Sequence, residues 1–174
     1  MTDLKNIKAF VFDIDGVFTN SGILCDLDGE LFRTYNVKDT FAIRMAVMQG
    51  YKVGIITGGV SASIPARFRS CGVPLDDVYL GSRAKVEELE NFCNKHSLSP
   101  EDVMFIGDDL PDIGPLMECG IGLCPADAVE EVKEASDIVS EKNGGCGCVR
   151  NAVEMVMRAQ GKWNFDAQAY KARF

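Results

Sequence analysis

Residues 10–20 read FVFDIDGVFTN, and this stretch decides the fold and its chemistry. The apolar run that opens it is typical of a strand buried on both faces of a parallel sheet. Two aspartates, Asp13 and Asp15, follow at alternate positions, directly before Gly16. Carboxylates this close repel each other, and their burial is costly unless a cation joins them. The pair therefore indicates a metal ion, a phosphate-handling role, or a turn in which the carboxylates act as caps.

The composition is typical of a soluble globular protein. The chain has 174 residues, of which 47% are hydrophobic and 25% charged, enough for one domain with a sizeable core. A net charge of −8 argues against a nucleic-acid partner, because phosphate backbones are bound by an excess of lysine and arginine. We find no apolar run that would span a membrane and no signal-peptide core. Seven cysteines without paired spacing predict reduced thiols in a cytoplasmic chain.

Short apolar runs alternate with amphipathic stretches of helix length. The predicted strands are at 7–12, 52–56, 103–106, 121–124 and 137–139. The predicted helices are at about 39–49, 61–70, 83–96, 111–118, 127–135 and 146–160. Asp39 is expected to cap the first of them and Gly50 to end it. The alternation predicts a doubly wound α/β fold with a parallel, Rossmann-like sheet.

Residues 22–37 break this alternation. They are typical of two strands joined at Asp28-Gly29, a dipeptide favoured in tight hairpin turns. We expect this hairpin, called the flap below, to project over the ends of the sheet strands. The predicted organisation is one domain over residues 1–160 and a tail over 161–174. The tail's aromatic and basic residues suit either a lid over an anionic ligand or a frayed terminus.

Polar residues collect where the predicted strands end, which is where open α/β sheets bind ligands. The clusters are Asp13 with Asp15, then Thr57-Gly58-Gly59, then Asp108-Asp109 with Asp112. Lys85 lies near the start of a predicted helix, whose dipole also favours an anion. Each cluster alone is compatible with a turn, a helix cap or a solvated side chain. Together, in this order, they favour a site for Mg²⁺ and phosphate.

Four motifs resemble the haloacid dehalogenase superfamily of phosphohydrolases: DIDGV at 13–17, IITG at 55–58, Lys85 before a helix, and IGDDLPD at 106–112. Further segments extend the likeness, namely NVKD, YLGSRAK, PADAVEEV and GCGCVRNAVEMVMRAQGKW. With them the chain resembles the family of capless 3-deoxy-D-manno-octulosonate 8-phosphate (KDO 8-phosphate) phosphatases over about residues 7–163. The segment between the first two motifs is too short for a separate cap domain.

The resemblance implies a role for each acidic residue of the first and third clusters. Asp13 would attack phosphorus to form an aspartyl phosphate. Asp15 would protonate the leaving alkoxide and then deprotonate the water that hydrolyses the intermediate. Mg²⁺ would be held by Asp13, the backbone carbonyl of Asp15 and Asp108.

The resemblance also implies how the phosphoryl group is held. Its oxygens would contact Thr57, Gly58 and Lys85, which stabilise their charge. Asp109 would orient Lys85 or the metal shell, and Asp112 would support the same region. His96 is predicted late in a helix, at the surface, so histidine-based hydrolysis is disfavoured.

Departures from the family pattern fall on the side that would recognise the sugar. Many relatives have an arginine directly after ITG, where this chain has Gly59, and one in a GGRG turn, where it has Cys146. Candidate residues for binding the substrate's carboxylate are Arg33, Lys38, Arg67 and Arg69. Gly59 is a further candidate for contacting the substrate. The expected substrate is KDO 8-phosphate, and the alternative is the 9-phosphate of a nine-carbon acid, KDN or N-acylneuraminate.

Other classes of protein fit less well. A non-catalytic oligomeric module would be expected to have lost catalytic residues, yet Asp13, Asp15, Lys85 and Asp108 are all present. A receiver domain would carry its acidic pair and its phosphorylated aspartate on separate strands, and a nuclease is disfavoured by the charge of −8. The resembled family is tetrameric, which implies a homotetramer with the flap at an interface and the tail at a neighbouring site.

Overall fold

A six-stranded parallel sheet organises the fold in the computed structural model, which describes residues 3–174. Its strands are β1 (Ala9–Phe12), β4 (Lys52–Ile56), β5 (Val78–Tyr79), β6 (Val103–Ile106), β7 (Ile121–Cys124) and β8 (Ile138–Val139); the flap supplies β2 (Leu24–Cys25) and β3 (Leu31–Phe32). The order across the sheet is β5-β4-β1-β6-β7-β8, and every neighbouring pair is parallel. β1 and its neighbours β4 and β6 therefore end side by side at the centre of the sheet.

Helices cover both faces of this sheet. One face carries α1 (Val37–Met48), α2 (Ser63–Arg69) and α6 (Cys148–Ala159), and the other carries α3 (Lys85–His96), α4 (Ile113–Glu118) and α5 (Glu130–Ala135). Alternate residues of β1 feed the two cores: Phe10 and Phe12 pack on the first face, Ala9 and Val11 on the second. The doubly wound α/β fold is thus confirmed, and residues 3–174 contain no cap domain and no helix long and apolar enough to cross a membrane.

The flap is an antiparallel hairpin, as predicted. Leu24 pairs with Phe32 and Cys25 with Leu31. The connecting loop is held by the Asp26 carboxylate, which accepts hydrogen bonds from the backbone N–H groups of residues 28 and 30. The connection between the two strands, residues 26–30, is longer than a two-residue turn.

The predicted cap of α1 is wrong. The helix begins at Val37, and Asn36 caps it by accepting from the Lys38 N–H at 2.9 Å. Asp39 instead accepts from the N–H groups of Gly147 (3.1 Å) and Arg150 (2.8 Å). These groups lie at the start of α6, so Asp39 caps a helix more than a hundred residues away.

One strand and one α-helix were not predicted. One is the edge strand β5, and the other is α7 (Ala167–Arg173), which lies inside the expected tail. Asp166 caps α7, and the rings of Phe165 and Tyr170 contact Phe41 of α1 at centroid distances of 5.8 and 5.7 Å. The tail is therefore docked on a helix of its own chain, not a frayed end.

The position of His96 also differs from the expectation. It is the last residue of α3, as predicted, but its side chain is only 12% exposed. Its ring packs against Phe92, and its Nε2 lies 2.9 Å from an oxygen of Asp77. His96 thus makes a largely buried structural contact, and it does not line the cavity at the strand ends.

Candidate active site

A cavity of about 580 Å³ opens at the carboxyl ends of the central strands. Asp13 follows β1, Thr57 follows β4, and Asp108 comes two residues after β6. The predicted residues that line the cavity are Asp13, Asp15, Arg33, Thr57, Gly58, Gly59, Lys85, Asp108, Asp109 and Asp112. Ile23 and Leu31 of the flap segment close one side. The sheet therefore brings three sequence-distant clusters together, and the flap covers them.

Three carboxylates meet at the floor of the cavity. Oxygens of Asp13, Asp108 and Asp112 all lie within 4.8 Å of one another. Burial, reinforced by the charge of Asp112, raises the pKa of Asp13 to about 6. Burial, reinforced by the charges of Asp13 and Asp112, raises the pKa of Asp108 to about 8. The cluster carries more negative charge than its surroundings balance.

The donor set fits a hard divalent cation. Within residues 3–174, Asp108 Oδ1 is buried and has no hydrogen-bond partner, and Asp13 Oδ1 is buried and faces the Lys85 ammonium group at 3.2 Å. Both oxygens of Asp112 are already engaged, Oδ1 by Lys85 and Oδ2 by the N–H groups of residues 108 and 109. Carboxylate oxygens are the ligands that Mg²⁺ prefers. Asp13 and Asp108 are thus the side chains available to hold it.

Gly16 allows these carboxylates to come close. Its φ is +90°, and a Cβ built on it would lie 1.8 Å from Asp108 Oδ2. Only glycine adopts this backbone conformation without strain and leaves room for the carboxylate. The glycine of the DxDG motif therefore allows Asp108, which follows β6, to lie close to the loop after β1.

Lys85 is the cation of the cavity floor. It begins α3, is 7% exposed, and places Nζ 2.6 Å from Asp112 Oδ1 and 3.2 Å from Asp13 Oδ1. Burial disfavours its charged form, but Asp13 and Asp112 outweigh this, so the pKa of Lys85 lies above its usual value. The contact expected of Asp109 is made by Asp112; Asp109 is exposed and accepts from the Leu110 N–H at 2.8 Å.

Asp15 faces the flap. Arg33, which follows β3, donates from Nε to Asp15 Oδ1 (2.7 Å) and from Nη2 to Asp15 Oδ2 (2.8 Å). The Arg33 side chain is 1% exposed and that of Asp15 26%. Arg33 was predicted as a substrate-binding candidate, and the structure places it on the second aspartate of the motif.

The loop after β4 forms the opposite wall. Thr57 is fully buried, and its hydroxyl oxygen accepts from the Gly59 N–H at 3.1 Å, which leaves its own O–H free to donate. Arg83 was missed by the sequence reasoning. A Cβ built on Gly58 would lie 3.3 Å from Arg83 Nη1, and no carboxylate in the described chain pairs with this guanidinium. The sequence signal that could have identified Arg83 is its position two residues before Lys85.

Three candidate cations do not join the cavity. Lys38 and Arg67 line a second cavity of about 450 Å³, together with Arg44 and Arg150. Arg69 is exposed at the end of α2. The expectation that Lys38, Arg67 or Arg69 would replace the missing arginines in the same chain's site is therefore corrected.

The chain is similar to known proteins over most of its length. The model of the haloacid dehalogenase-like hydrolase family matches residues 75–152. The 3-deoxy-D-manno-octulosonate 8-phosphate phosphatase of Salmonella typhi is 32% identical over 162 residues, which cover 93% of this chain and 85% of that protein. The corresponding phosphatase of Haemophilus influenzae is 31% identical over 159 residues, 91% of this chain and 87% of that one.

The chain is also similar to solved structures of such phosphatases. The cobalt-bound form of the Haemophilus influenzae phosphatase superposes with a TM-score of 0.89 at 30% identity, covering 97% of this chain and 98% of that one. The phosphatase from Moraxella catarrhalis, in complex with magnesium ion, phosphate ion and KDO, gives 0.88 at 28% identity, covering 97% and 94%. The likeness spans the sheet, both helix layers and the strand ends that form the cavity.

Proposed function

The chain belongs to the 3-deoxy-D-manno-octulosonate 8-phosphate phosphatase family of haloacid dehalogenase-like hydrolases, and we propose that it hydrolyses KDO 8-phosphate to KDO and inorganic phosphate. It is a phosphoric monoester hydrolase. One observation carries the proposal: buried oxygens of Asp13 and Asp108, the second without a hydrogen-bond partner, lie beside Lys85 in one cavity. A nucleophile, a metal ligand and a phosphate-binding cation are thereby in reach of the same phosphorus. The product would supply the sugar acid of lipopolysaccharide.

Asp13 is the proposed nucleophile. A carboxylate oxygen would attack phosphorus, and the ester bond to the sugar oxygen would break as the bond to Asp13 forms. The resulting aspartyl phosphate would be hydrolysed when water attacks phosphorus and releases Asp13. The position of Asp13 directly after a central strand, 7% exposed, supports this role because it fixes the attacking group and excludes bulk water.

Asp15 is the proposed general acid and base. It would give a proton to the departing sugar alkoxide and later accept one from the attacking water, so that it returns to its starting state. Asp15 is more exposed than Asp13 and lies on the flap side of the cavity, where a leaving group would sit. An alkoxide leaves poorly, and such proton transfer is worth about 10²–10⁴-fold in rate.

The remaining residues would bind the metal ion and the phosphoryl group and stabilise their charges. Asp13, the Asp15 carbonyl and Asp108 would hold Mg²⁺, which when bound supplies positive charge to the carboxylates and the phosphoryl group. Lys85 would bind a phosphoryl oxygen while Asp112 fixes its ammonium group. The Thr57 hydroxyl and the Gly58 backbone would donate hydrogen bonds to the phosphoryl group from the opposite wall.

The substrate is tested by comparing two sugar-acid phosphates. Phosphate release with Mg²⁺ would be measured from KDO 8-phosphate and from KDN 9-phosphate, with Asp13→Asn as the blank. We expect a higher kcat/KM for the eight-carbon substrate. Preference for the nine-carbon acid is the competing outcome, and it would overturn the proposed substrate while keeping the mechanism. Release from neither would overturn the proposal.

The proposed assembly is a homotetramer, in which the flap forms part of an interface. Leu24, Leu27 and Phe32 of the flap are all exposed in the single chain, and exposed apolar groups on one hairpin favour burial against another copy. Light scattering coupled to size exclusion would measure the mass of the assembly. A Leu27→Asp variant is expected to shift it towards smaller species, and an unchanged mass would count against the flap interface.

A further inference from the structure

Arg33 holds the carboxylate of Asp15 through a two-pronged contact. The guanidinium donates to both oxygens, at 2.7 and 2.8 Å, and its Nη1 lies 3.5 Å from the Leu31 carbonyl of the flap. Such fork-to-fork pairs define the plane of the carboxylate as well as its position. With the Arg33 side chain almost completely buried, the guanidinium has little freedom to leave this geometry.

This contact is compatible with proton transfer by Asp15. Each carboxylate oxygen has two lone pairs, and the fork uses one on each. One lone pair per oxygen remains to carry the proton that passes to the leaving oxygen, or to accept the proton that comes from water. Arg33 itself touches Asp15 and flap backbone and gains or loses no proton in this scheme.

Gly59 makes the space that the guanidinium occupies. A Cβ at position 59 would lie 2.8 Å from Arg33 Nη2 and 3.4 Å from Asp15 Oδ2. The φ of Gly59 is not positive, so the backbone itself would accept another residue. The glycine at position 59 is therefore explained by the space that Arg33 needs and not by its backbone conformation.

We propose that Arg33 is a positioning residue for Asp15: the flap arginine aims the proton-transferring carboxylate at the leaving oxygen, and glycine at position 59 is the space that permits it. This inference rests on the proposed role of Asp15 as general acid. It assigns to the flap a part in the chemical step, beyond covering the cavity.

The test compares two substrates whose leaving groups differ in how much they need a proton. General-acid help matters more for phenyl phosphate than for 4-nitrophenyl phosphate, whose phenolate leaves without a proton. The readout is the ratio of kcat/KM for 4-nitrophenyl phosphate to that for phenyl phosphate, measured with Mg²⁺. Because both substrates meet the same folded fraction of enzyme, partial unfolding of a variant cancels in this ratio. Neither substrate depends on which sugar acid the enzyme prefers.

We expect Asp15→Asn to raise the ratio by about 10²-fold and Arg33→Met to raise it by about 10-fold, since small displacements of a catalytic group are costly. Arg33→Lys keeps the charge without the fork and should fall between wild type and Arg33→Met. Gly59→Ala should raise the ratio less, and should add nothing in the Arg33→Met background. The control is Arg158→Met, which removes two hydrogen bonds from a guanidinium to one oxygen of Glu154 on α6 and should leave the ratio unchanged.

The outcomes separate this inference from the mechanism on which it rests. An unchanged ratio in Asp15→Asn would show that Asp15 is not the general acid, and would overturn both. A raised ratio in Asp15→Asn with an unchanged ratio in Arg33→Met would overturn the role of Arg33 alone. A higher KM for both substrates in Arg33→Met, at a constant ratio, would make Arg33 a binding residue and would equally overturn it.

Discussion

Asp108→Asn is expected to stabilise the metal-free protein above neutral pH and to remove the stabilisation that Mg²⁺ provides. Asp108 is half-buried beside two other carboxylates, and one of its oxygens has no hydrogen-bond partner within residues 3–174. Burial, followed by the charges of Asp13 and Asp112, raises its pKa to about 8. Asparagine keeps the shape and removes the charge. The substitution therefore relieves the electrostatic cost and deletes the proposed metal ligand together.

The magnitude follows from proton linkage. The folded state holds the Asp108 proton more tightly than the unfolded state, so the free energy of unfolding falls as pH rises from 3.8 to about 8. Each pKa unit is about 1.4 kcal/mol, which bounds the cost at about 6 kcal/mol. Partial solvent exposure reduces it to about 2–3 kcal/mol. Removing that cost should raise the Tm by about 4–12 °C at pH 8.5 for a chain of this size.

The assay is thermal unfolding at pH 5 and pH 8.5, with chelator or with Mg²⁺. The advantage of Asp108→Asn should be small at pH 5 and largest at pH 8.5 with chelator. Mg²⁺ at a hundredfold excess over its Kd should stabilise wild type by about 2.7 kcal/mol and the variant hardly at all. Asp109→Asn, a change at the exposed neighbour, is the control: it should keep the stabilisation by Mg²⁺ and gain much less in chelator, because its charge raises the pKa of Asp108 less than burial does. The reasoning is refuted if Asp108→Asn melts below wild type at pH 8.5 in chelator, or gains as much from Mg²⁺.

Three further substitutions test other contacts of the structure. Lys85→Met leaves Asp112 buried without its cation and should lower the free energy of unfolding in urea by about 3–5 kcal/mol. The double variant with Asp112→Asn should recover this stability but not the phosphatase activity. Asp39→Ala removes the cap of α6 and should cost about 1–2 kcal/mol in the same assay while KM stays constant; an unchanged midpoint would contradict the capping role. Arg83→Met should raise KM for a phosphate ester more than it lowers kcat, and a fall in kcat alone would place Arg83 in the chemical step instead.

The central strands were predictable because burial on both faces gives each a continuous apolar run. The strands at 52–56, 103–106 and 121–124 agree residue for residue with the prediction. β5 was not predictable, because two half-buried residues at a sheet edge are too short to show a period. α7 was missed for a different reason: it is held by Phe41 of α1, and nothing within residues 161–174 specifies that partner.

The site was predictable to the extent that parallel strands align its parts. Asp13, Thr57 and Asp108 each follow a central strand, so their order along the chain places them at one edge of the sheet. Which carboxylate pairs with Lys85 was not predictable. A short 3-10 helix at Leu110–Asp112 turns Asp112 inward and leaves Asp109 outside, and the sequence does not distinguish these two aspartates by spacing or by type.

The proximity of Arg33 to Gly59 shows why the contact that positions Asp15 is harder to predict than the cluster at the strand ends. Asp13 and Asp108 follow neighbouring strands of the sheet, so strand register fixes their separation, and Lys85 begins a helix that packs on the sheet. Arg33 reaches the site from the flap, whose direction depends on contacts that local sequence does not specify. A side chain larger than glycine at position 59 would meet the guanidinium, since even a Cβ would lie 2.8 Å from it. A relative with arginine there therefore cannot seat a flap arginine in the same place, and the two positions are expected to vary as a pair while the strand-end residues stay the same.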